Sequence, residues 1–384
     1  MLTDDTLAPA EAPAPPARAA GTLRRPAAPP RRVPLGAPLG DDGFLPLVSI
    51  VIASHNYEAY VDAAISSALG QTYPLLEVIV VDDGSEDGSP ARIRAWGDRI
   101  RAVFRPNGGQ AAAWNTGWRA ARGDVVMFLD ADDQLLPEAV ERAVRAFRPG
   151  MSKVQFPLQV IDRQGVPQPA LYPPFELAEG DMRRRLLSQG YYPSAPTSGN
   201  AFRRAALDAI FPIPEQPFRI GADGYVIAIT GLLGTVGRLD RISGYYRRHE
   251  ANRGPAGRMT LERMRGEMLR EAERSRRLER FAATCGLSAK RDLCLRLPSH
   301  VRNRLYSRAV DPKGHPWPGD RRPVLALMGL RALWLAPDRS RRKKIAAGLG
   351  FLVMAALPKP IMRRFGPWIL EPEKRPAWLR RLMR

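Results

Sequence analysis

The sequence predicts a mixed α/β domain on a mostly parallel sheet with helices on both faces, followed by a helical, basic extension. Strand-length apolar runs alternate with helical patterns from residue 47 onward, the order that a parallel sheet requires. These runs lack the polar alternation of a half-exposed strand, so both faces of the sheet are covered. Charge is also divided. Residues 255–384 hold 31 Lys and Arg against 11 Asp and Glu, whereas residues 1–254 hold 28 of each.

The chain has 384 residues, 45% of them hydrophobic and 26% charged, enough to bury a sizeable core and to exclude a wholly disordered protein. Its two cysteines, Cys285 and Cys294, exclude a disulfide scaffold and fit a reducing, cytoplasmic compartment. Four histidines (His55, His249, His300, His315) argue against a multi-histidine metal centre. Residues 1–44 start acidic and are interrupted throughout by proline. They read as a disordered Pro/Ala-rich arm and not as a signal peptide.

Order begins with a strand over 47–53, ended by Ser54-His55-Asn56, and a helix over 57–69. A second strand, 76–81, closes on Asp82-Asp83-Gly84-Ser85. A third covers 100–104, a helix 111–121, and a fourth strand 125–129 ends in Asp130-Ala131-Asp132-Asp133. A helix restarts at Pro137, a residue suited to a first helical turn. Past residue 153 the pattern loosens, with helices at 203–210 and 222–233 and a strand over 235–246. Residues 45–254 thus read as one domain, with a ligand-binding half at 45–150 and a second half at 151–254.

Ligands of such sheets bind beyond the C-terminal strand ends, where these carboxylates gather. Asp130 and Asp132, one residue apart, can share a hard divalent cation, Mn²⁺ or Mg²⁺, which often bridges protein to a diphosphate. Alone, an Asp-x-Asp is more often a solvated turn. Its place at a strand end, with Asp82-Asp83 at another, favours the metal reading.

The run PLVSIVIASHNYEAYVDAAISSALGQTYPLLEVIVVDDGSEDGS, followed by RPNGGQAAAWNTGWRAARGDVVMFLDADDQLLP, resembles glycosyltransferase family 2. The clear match covers about residues 46–148 and a looser one continues to about 254. The resemblance implies a GT-A fold and an inverting transferase that uses a nucleotide-diphospho-sugar, with UDP the default nucleotide. It implies that Ala53, Ser54 and Asn56 line the nucleotide pocket, that Asp82 and Asp83 hold the nucleoside, and that Gly109 and Asn115 face the donor. Asp130 and Asp132 would hold the metal and diphosphate, with His249 as a further metal contact. Asp223 would be the general base, its structural alternative being a helix cap. Four positions depart from the family pattern. Ala53 and His55 stand in a segment that usually reads Pro-Thr-Tyr-Asn, where much of the contact is backbone. Trp114 stands where many members have Arg, and Ala222 where an acid precedes the base. Trp114 and Ala222 keep open a non-catalytic nucleotide-sugar-binding module. A sugar nucleotidylyltransferase is disfavoured, because Ser54-His55-Asn56-Tyr57 replaces the Gly-rich phosphate loop of that class.

Residues 255–384 read as a helical extension with a strongly helical stretch at 259–283 and apolar stretches at 324–336 and 345–357. A helix of the last length reaches about 20 Å, short of the roughly 30 Å hydrocarbon core. Basic clusters beside short apolar segments suit an anionic membrane surface, at the inner face of the plasma membrane, and a sugar or lipid-linked acceptor. The alternative is a solvated appendage packed on the domain. No nucleic-acid-binding signature is present.

Overall fold

The computed structural model describes residues 45–249, 260–336 and 340–370; the arm expected at 1–44 and the boundary expected at 254 lie outside them. Three apolar runs form the parallel centre of a sheet: β1 (Val48–Ser54), β2 (Leu76–Asp83) and, beyond β3 (Arg101–Arg105), β4 (Val125–Asp130). Their C-terminal ends lie level, with Ser54 opposite Asp82 and Ala53 opposite Asp130. The connections carry α1 (Val61–Leu69), α2 (Ser89–Ala95) and α3 (Gln110–Ala120). After the short β5 (Gln134–Leu135) comes α4 (Ala139–Ala146).

Side chains alternate across this sheet. Ile50, Ile52, Val78, Val80, Met127 and Leu129 pack with residues of α1 and α4. Val51, Ile79, Val81, Val126 and Phe128 pack with residues of α3. Both faces are therefore covered, which explains the unbroken apolar runs. The third helix lies tight on the sheet because Gly117 has no side chain: a Cβ there would stand 2.2 Å from Val51 Cγ1. Trp114 is buried, stacked on Phe128 with ring centroids 4.1 Å apart.

The second half differs from expectation. It runs β6 (Met151–Gln155), β7 (Leu158–Ile161), β8 (Pro167–Tyr172), α5 (Arg183–Gln189), β9 (Asn200–Arg203), α6 (Arg204–Asp208), α7 (Ala222–Leu233), β10 (Thr235–Arg238) and β11 (Gly244–Arg247). The large sheet has the order β10-β6-β9-β4-β1-β2-β3, antiparallel only where β9 joins β4 and β6. The helix expected at 203–210 is shorter at both ends: Arg203 belongs to β9, between β4 and β6, and residues 209–210 form a turn ahead of Pro212. The strand expected over 235–246 divides. Its first part pairs β6, and its second joins a small sheet of order β5-β11-β7-β8. The preceding strands divide in the same way, β6 in the large sheet and β7 in the small one with Pro157 between them. Residues 239–243 run alongside, the Leu239 N–H donating to the Gln155 carbonyl at 2.8 Å and the Ser243 N–H to the Pro157 carbonyl at 3.3 Å.

The C-terminal helices are α8 (Leu261–Thr284), α9 (Pro298–Val310), α10 (Arg322–Leu335), α11 (Arg341–Ala356) and α12 (Lys359–Leu370). The Thr260 hydroxyl caps α8, accepting from the Arg263 N–H at 3.1 Å. Leu278 and Ala282 of α8 belong to the main core, whereas Met264 packs with Val301, Leu305, Leu325 and Phe351 in a second core. One helix thus ties the extension to the domain.

Two histidines of the extension are buried in polar networks. His300 Nδ1 lies 2.7 Å from Glu271 Oε2, and His315 bridges Ser307 Oγ and Asp320 Oδ2 at 2.9 Å each. Arg304 adds a forked pair to Asp320 at 2.6 and 2.8 Å. Burial pushes both carboxyls up. The bonds from His300 to Glu271, and from His315 and Arg304 to Asp320, outweigh it and hold both below their ordinary values. A depressed carboxyl stabilises the fold above its unfolded value and loses that contribution as pH falls through its folded value. The extension is therefore expected to lose stability below about pH 4. Denaturation midpoints followed by circular dichroism from neutral pH to acid will fall; a flat profile would contradict the networks.

Candidate active site

A cavity of about 660 Å³ opens at the C-terminal edge of β1, β2 and β4. Interlocking turns build its rim. Asn56 adopts a left-handed backbone (φ 59°), which asparagine tolerates better than most residues. Its N–H donates to Ser85 Oγ at 2.9 Å and its Oδ1 accepts from the Glu86 N–H at 2.8 Å, tying the end of β1 to the turn after β2. The Asp83 carboxylate accepts from the N–H groups of Gly108 and Gly109, at 3.0 and 2.6 Å, and from the Arg105 guanidinium. Gly109 (φ 86°) must be glycine, since a Cβ would meet the Arg219 carbonyl oxygen at 2.5 Å.

Gln110 joins the two halves of the domain. Its Oε1 accepts from the N–H groups of Gly221 and Ala222, each at 2.9 Å, and its own N–H donates to the Arg219 carbonyl at 2.7 Å. These two donors belong to the N-terminus of α7, where helix geometry leaves them without internal partners. Asp223 occupies the first turn of that helix and is thereby held at the cavity.

Asp130 and Asp132 line the same cavity. Burial, then the charges of Asp132 and Asp223, push the Asp130 carboxyl well above the usual range, and the Thr197 hydroxyl offsets part of this. Burial also raises Asp223, opposed by the Gly224 N–H and the Arg274 guanidinium. Asp132 Oδ2 stands 2.9 Å from His249 Nε2, and the His249 ring packs on Tyr60 with centroids 4.8 Å apart. Asp133 serves the turn instead. It accepts from Ser198 Oγ at 2.7 Å and from the Arg247 N–H at 2.9 Å, and Arg247 Nε donates to the Asp132 carbonyl at 2.9 Å.

Of the other residues expected here, Ala53, Ser54, Asp83 and Gly109 line the cavity. Asp82 is buried beside it. Ser54 Oγ and Asp82 Oδ2 are buried without a hydrogen-bond partner among the described residues. Asn56, Asp82, Asn115 and His249 are not among the lining residues. Asn56 holds the rim from outside. Asn115 forms a reciprocal pair with the Ile213 main chain at 2.8 and 2.7 Å, so its amide anchors the loop before α7. Sequence reasoning missed Gln110, Arg219, Tyr57, Tyr172 and Tyr246, all of which line the cavity. Tyr172 and Tyr246 stack with centroids 4.1 Å apart, one from β8 and one from β11. Gln110 had a signal, standing directly after a Gly-Gly turn at a helix start. Tyr172 had none, since 167–172 reads as a Pro-rich loop.

Two carboxylates facing a wet cavity are hard oxygen donors. Among the described residues no group of three or more ligating side chains surrounds one point. The Asp130/Asp132 pair fits an Mn²⁺ or Mg²⁺ ion that completes its shell with water and diphosphate oxygens, the habit of Mg²⁺ in particular.

The mostly parallel sheet, its flanking helices and the acidic strand ends are those of a GT-A domain. Residues 49–211 match the model of glycosyl transferase family 2, and the chain belongs to that family. It is 38% identical over 213 residues to an uncharacterised glycosyltransferase of Nostoc sp., covering 53% of this chain and 66% of that one. It is 39% identical over 101 residues to another of Rickettsia typhi, covering 26% and 32%. The chain thus spans about two thirds of one relative and about a third of the other. Among solved structures it is similar to S. aureus TarS 1–349 in complex with UDP-GlcNAc, with a TM-score of 0.47 and 17% identity over 83% of this chain and 92% of that one.

Replacing Gln110 by Ala leaves two helix N-terminal donors without their acceptor, a cost of about 1–3 kcal/mol. Hydrogen exchange at the Gly221 and Ala222 amides should accelerate in Gln110→Ala, and unchanged exchange would show that the clasp does not hold α7.

Proposed function

We propose that this chain is a metal-dependent, inverting glycosyltransferase that moves a sugar from a nucleotide-diphospho-sugar to an acceptor hydroxyl. The observation that carries the reading is the meeting of Asp130 and Asp132, from the end of β4, with Asp223, from α7, on one cavity. Trp114 and Ala222, the departures that favour a non-catalytic module, are both buried in the main core and do not line the cavity.

Ser54 Oγ and Asp82 Oδ2, buried and unpartnered, are suited to a nucleoside's base and ribose, with UDP the default donor nucleotide of the family. Bound Mn²⁺ or Mg²⁺, held by Asp130 and Asp132, supplies charge stabilisation for the departing nucleoside diphosphate. His249 positions Asp132 through its 2.9 Å contact. The stacked Tyr172 and Tyr246 form the wall given by the second sheet, where the acceptor would enter.

In the transfer, the acceptor oxygen bonds to the anomeric carbon as the bond from that carbon to the diphosphate oxygen breaks. The bonding electrons leave with the nucleoside diphosphate, and the acceptor proton passes to the Asp223 carboxylate. Attack opposite the leaving group inverts the anomeric centre. Burial, which raises Asp223, makes it a stronger base than an exposed aspartate. By family association, the product class proposed is a bacterial surface polysaccharide or glycoconjugate.

Asp223→Asn is expected to lower the transfer rate by about 10²–10⁴-fold while leaving nucleotide affinity near wild type. Release of nucleoside diphosphate across an acceptor panel measures the first and calorimetry the second. Wild-type turnover in Asp223→Asn would remove Asp223 as base.

A further inference from the structure

The outer faces of α10 and α11 are apolar where a helix at a protein–water boundary is ordinarily polar. On α10, Val324, Leu327, Met328, Trp334 and Leu335 are exposed, Trp334 at 71%. Their spacing places them on one stripe, interrupted by Arg331. On α11, Ile345, Leu349, Leu352 and Val353 form a second stripe. The opposite faces supply Leu325, Leu333, Phe351 and Met354 to the second core. Each helix therefore buries one apolar side in the protein and leaves another uncovered.

The two stripes make one surface. A groove of about 560 Å³ runs between them, bordered by Trp334, Leu335, Ile345, Leu349 and Leu352. The helices approach closely because Gly329 faces the Phe351 ring, where a Cβ would stand 2.2 Å from the nearest ring atom.

Charge selects the occupant. Helices α10 to α12 hold nine Arg and Lys and no Asp or Glu. Arg341, Arg342 and Lys343 are exposed at the start of α11. Beside them, Lys344 Nζ donates to the Trp334 carbonyl at 3.0 Å, which sets the indole among the cations. Exposed apolar stripes rimmed by cations, with a tryptophan at the boundary, match a lipid interface with anionic headgroups. Among the described residues no helix is long and apolar enough to cross a membrane.

We propose that the α10–α11 face docks the protein on an anionic phospholipid bilayer surface. Apolar side chains enter the headgroup boundary while Arg341, Arg342 and Lys343 meet lipid phosphates. The outer stripes are free of the cavity, so docking leaves Asp130, Asp132 and Asp223 untouched.

Co-sedimentation of the full chain with vesicles of phosphatidylcholine, alone or mixed with phosphatidylglycerol, tests this. Wild type is expected to partition onto the mixed vesicles, less so at high salt, and to stay in solution with phosphatidylcholine alone. Trp334→Gln with Leu349→Gln, and separately Arg342→Glu with Lys343→Glu, should each weaken partitioning by about tenfold or more. All four positions are exposed, and unchanged thermal melting verifies that the variants fold. Failure of wild type to bind the mixed vesicles, or binding by both variants as strong as that of wild type, overturns the proposal. So does a lipid-free dimer that Trp334→Gln with Leu349→Gln makes monomeric, if vesicle partitioning is unchanged, for then a second copy covers the face. Vesicle binding is read without donor or turnover, so it succeeds or fails apart from the transferase reading.

Discussion

Asp130, Asp132 and Asp133 stand within electrostatic reach of one another at the end of β4, and Asp223 within reach of Asp130. Like charges repel, and partial burial reduces the water that would screen them. The surrounding architecture answers this constraint. Ser198 and Arg247 bond Asp133, His249 meets Asp132, Thr197 bonds Asp130, and Arg274 of α8 acts on Asp223. The donors come from three separate stretches of chain, 197–198, 247–249 and α8, so the second sheet and the first helix of the extension both bear on the site. On the proposed reading, such a cluster would take a divalent cation and a diphosphate between its members, and Asp223 would accept the proton of the acceptor hydroxyl.

Much of this was legible in the sequence because the central strands are buried on both faces. An unbroken apolar run that stops at Asp82-Asp83 or Asp130-Ala131-Asp132 shows both the strand and its ligand-facing end. The helix expected at 222–233 matches α7, since Gly221 and Gly234 flank an apolar segment. The small sheet was not legible. Its strands are two to six residues long, one of them begins at proline, and one follows its partner β7 out of the large sheet. Tyr172 was lost with it. Asn56 and Asn115 show a different limit, because a motif names the residue but not what its side chain bonds. Both amides hold loops, and the cavity is shaped by what they hold.

The basic extension was visible as a charge excess, but charge does not reveal attachment. Residues at the two ends of α8 enter different cores, so the extension is anchored through side chains such as Leu278 and Met264. Its outward helices show what composition could not, that apolar residues and cations share one exposed face. Catalytic chemistry at one edge and an adhesive surface on the other helices would bring a water-soluble donor and a membrane-borne acceptor to the same molecule.

The central claim is a nucleotide site built on Asp130 and Asp132 through a divalent cation. Calorimetric titration of UDP, GDP and dTDP into wild type and Asp132→Asn, with and without Mn²⁺, addresses it most directly. The account predicts that one nucleotide binds, that binding needs Mn²⁺, and that Asp132→Asn abolishes it. Nucleotide binding that is indifferent to both the ion and the substitution would contradict it.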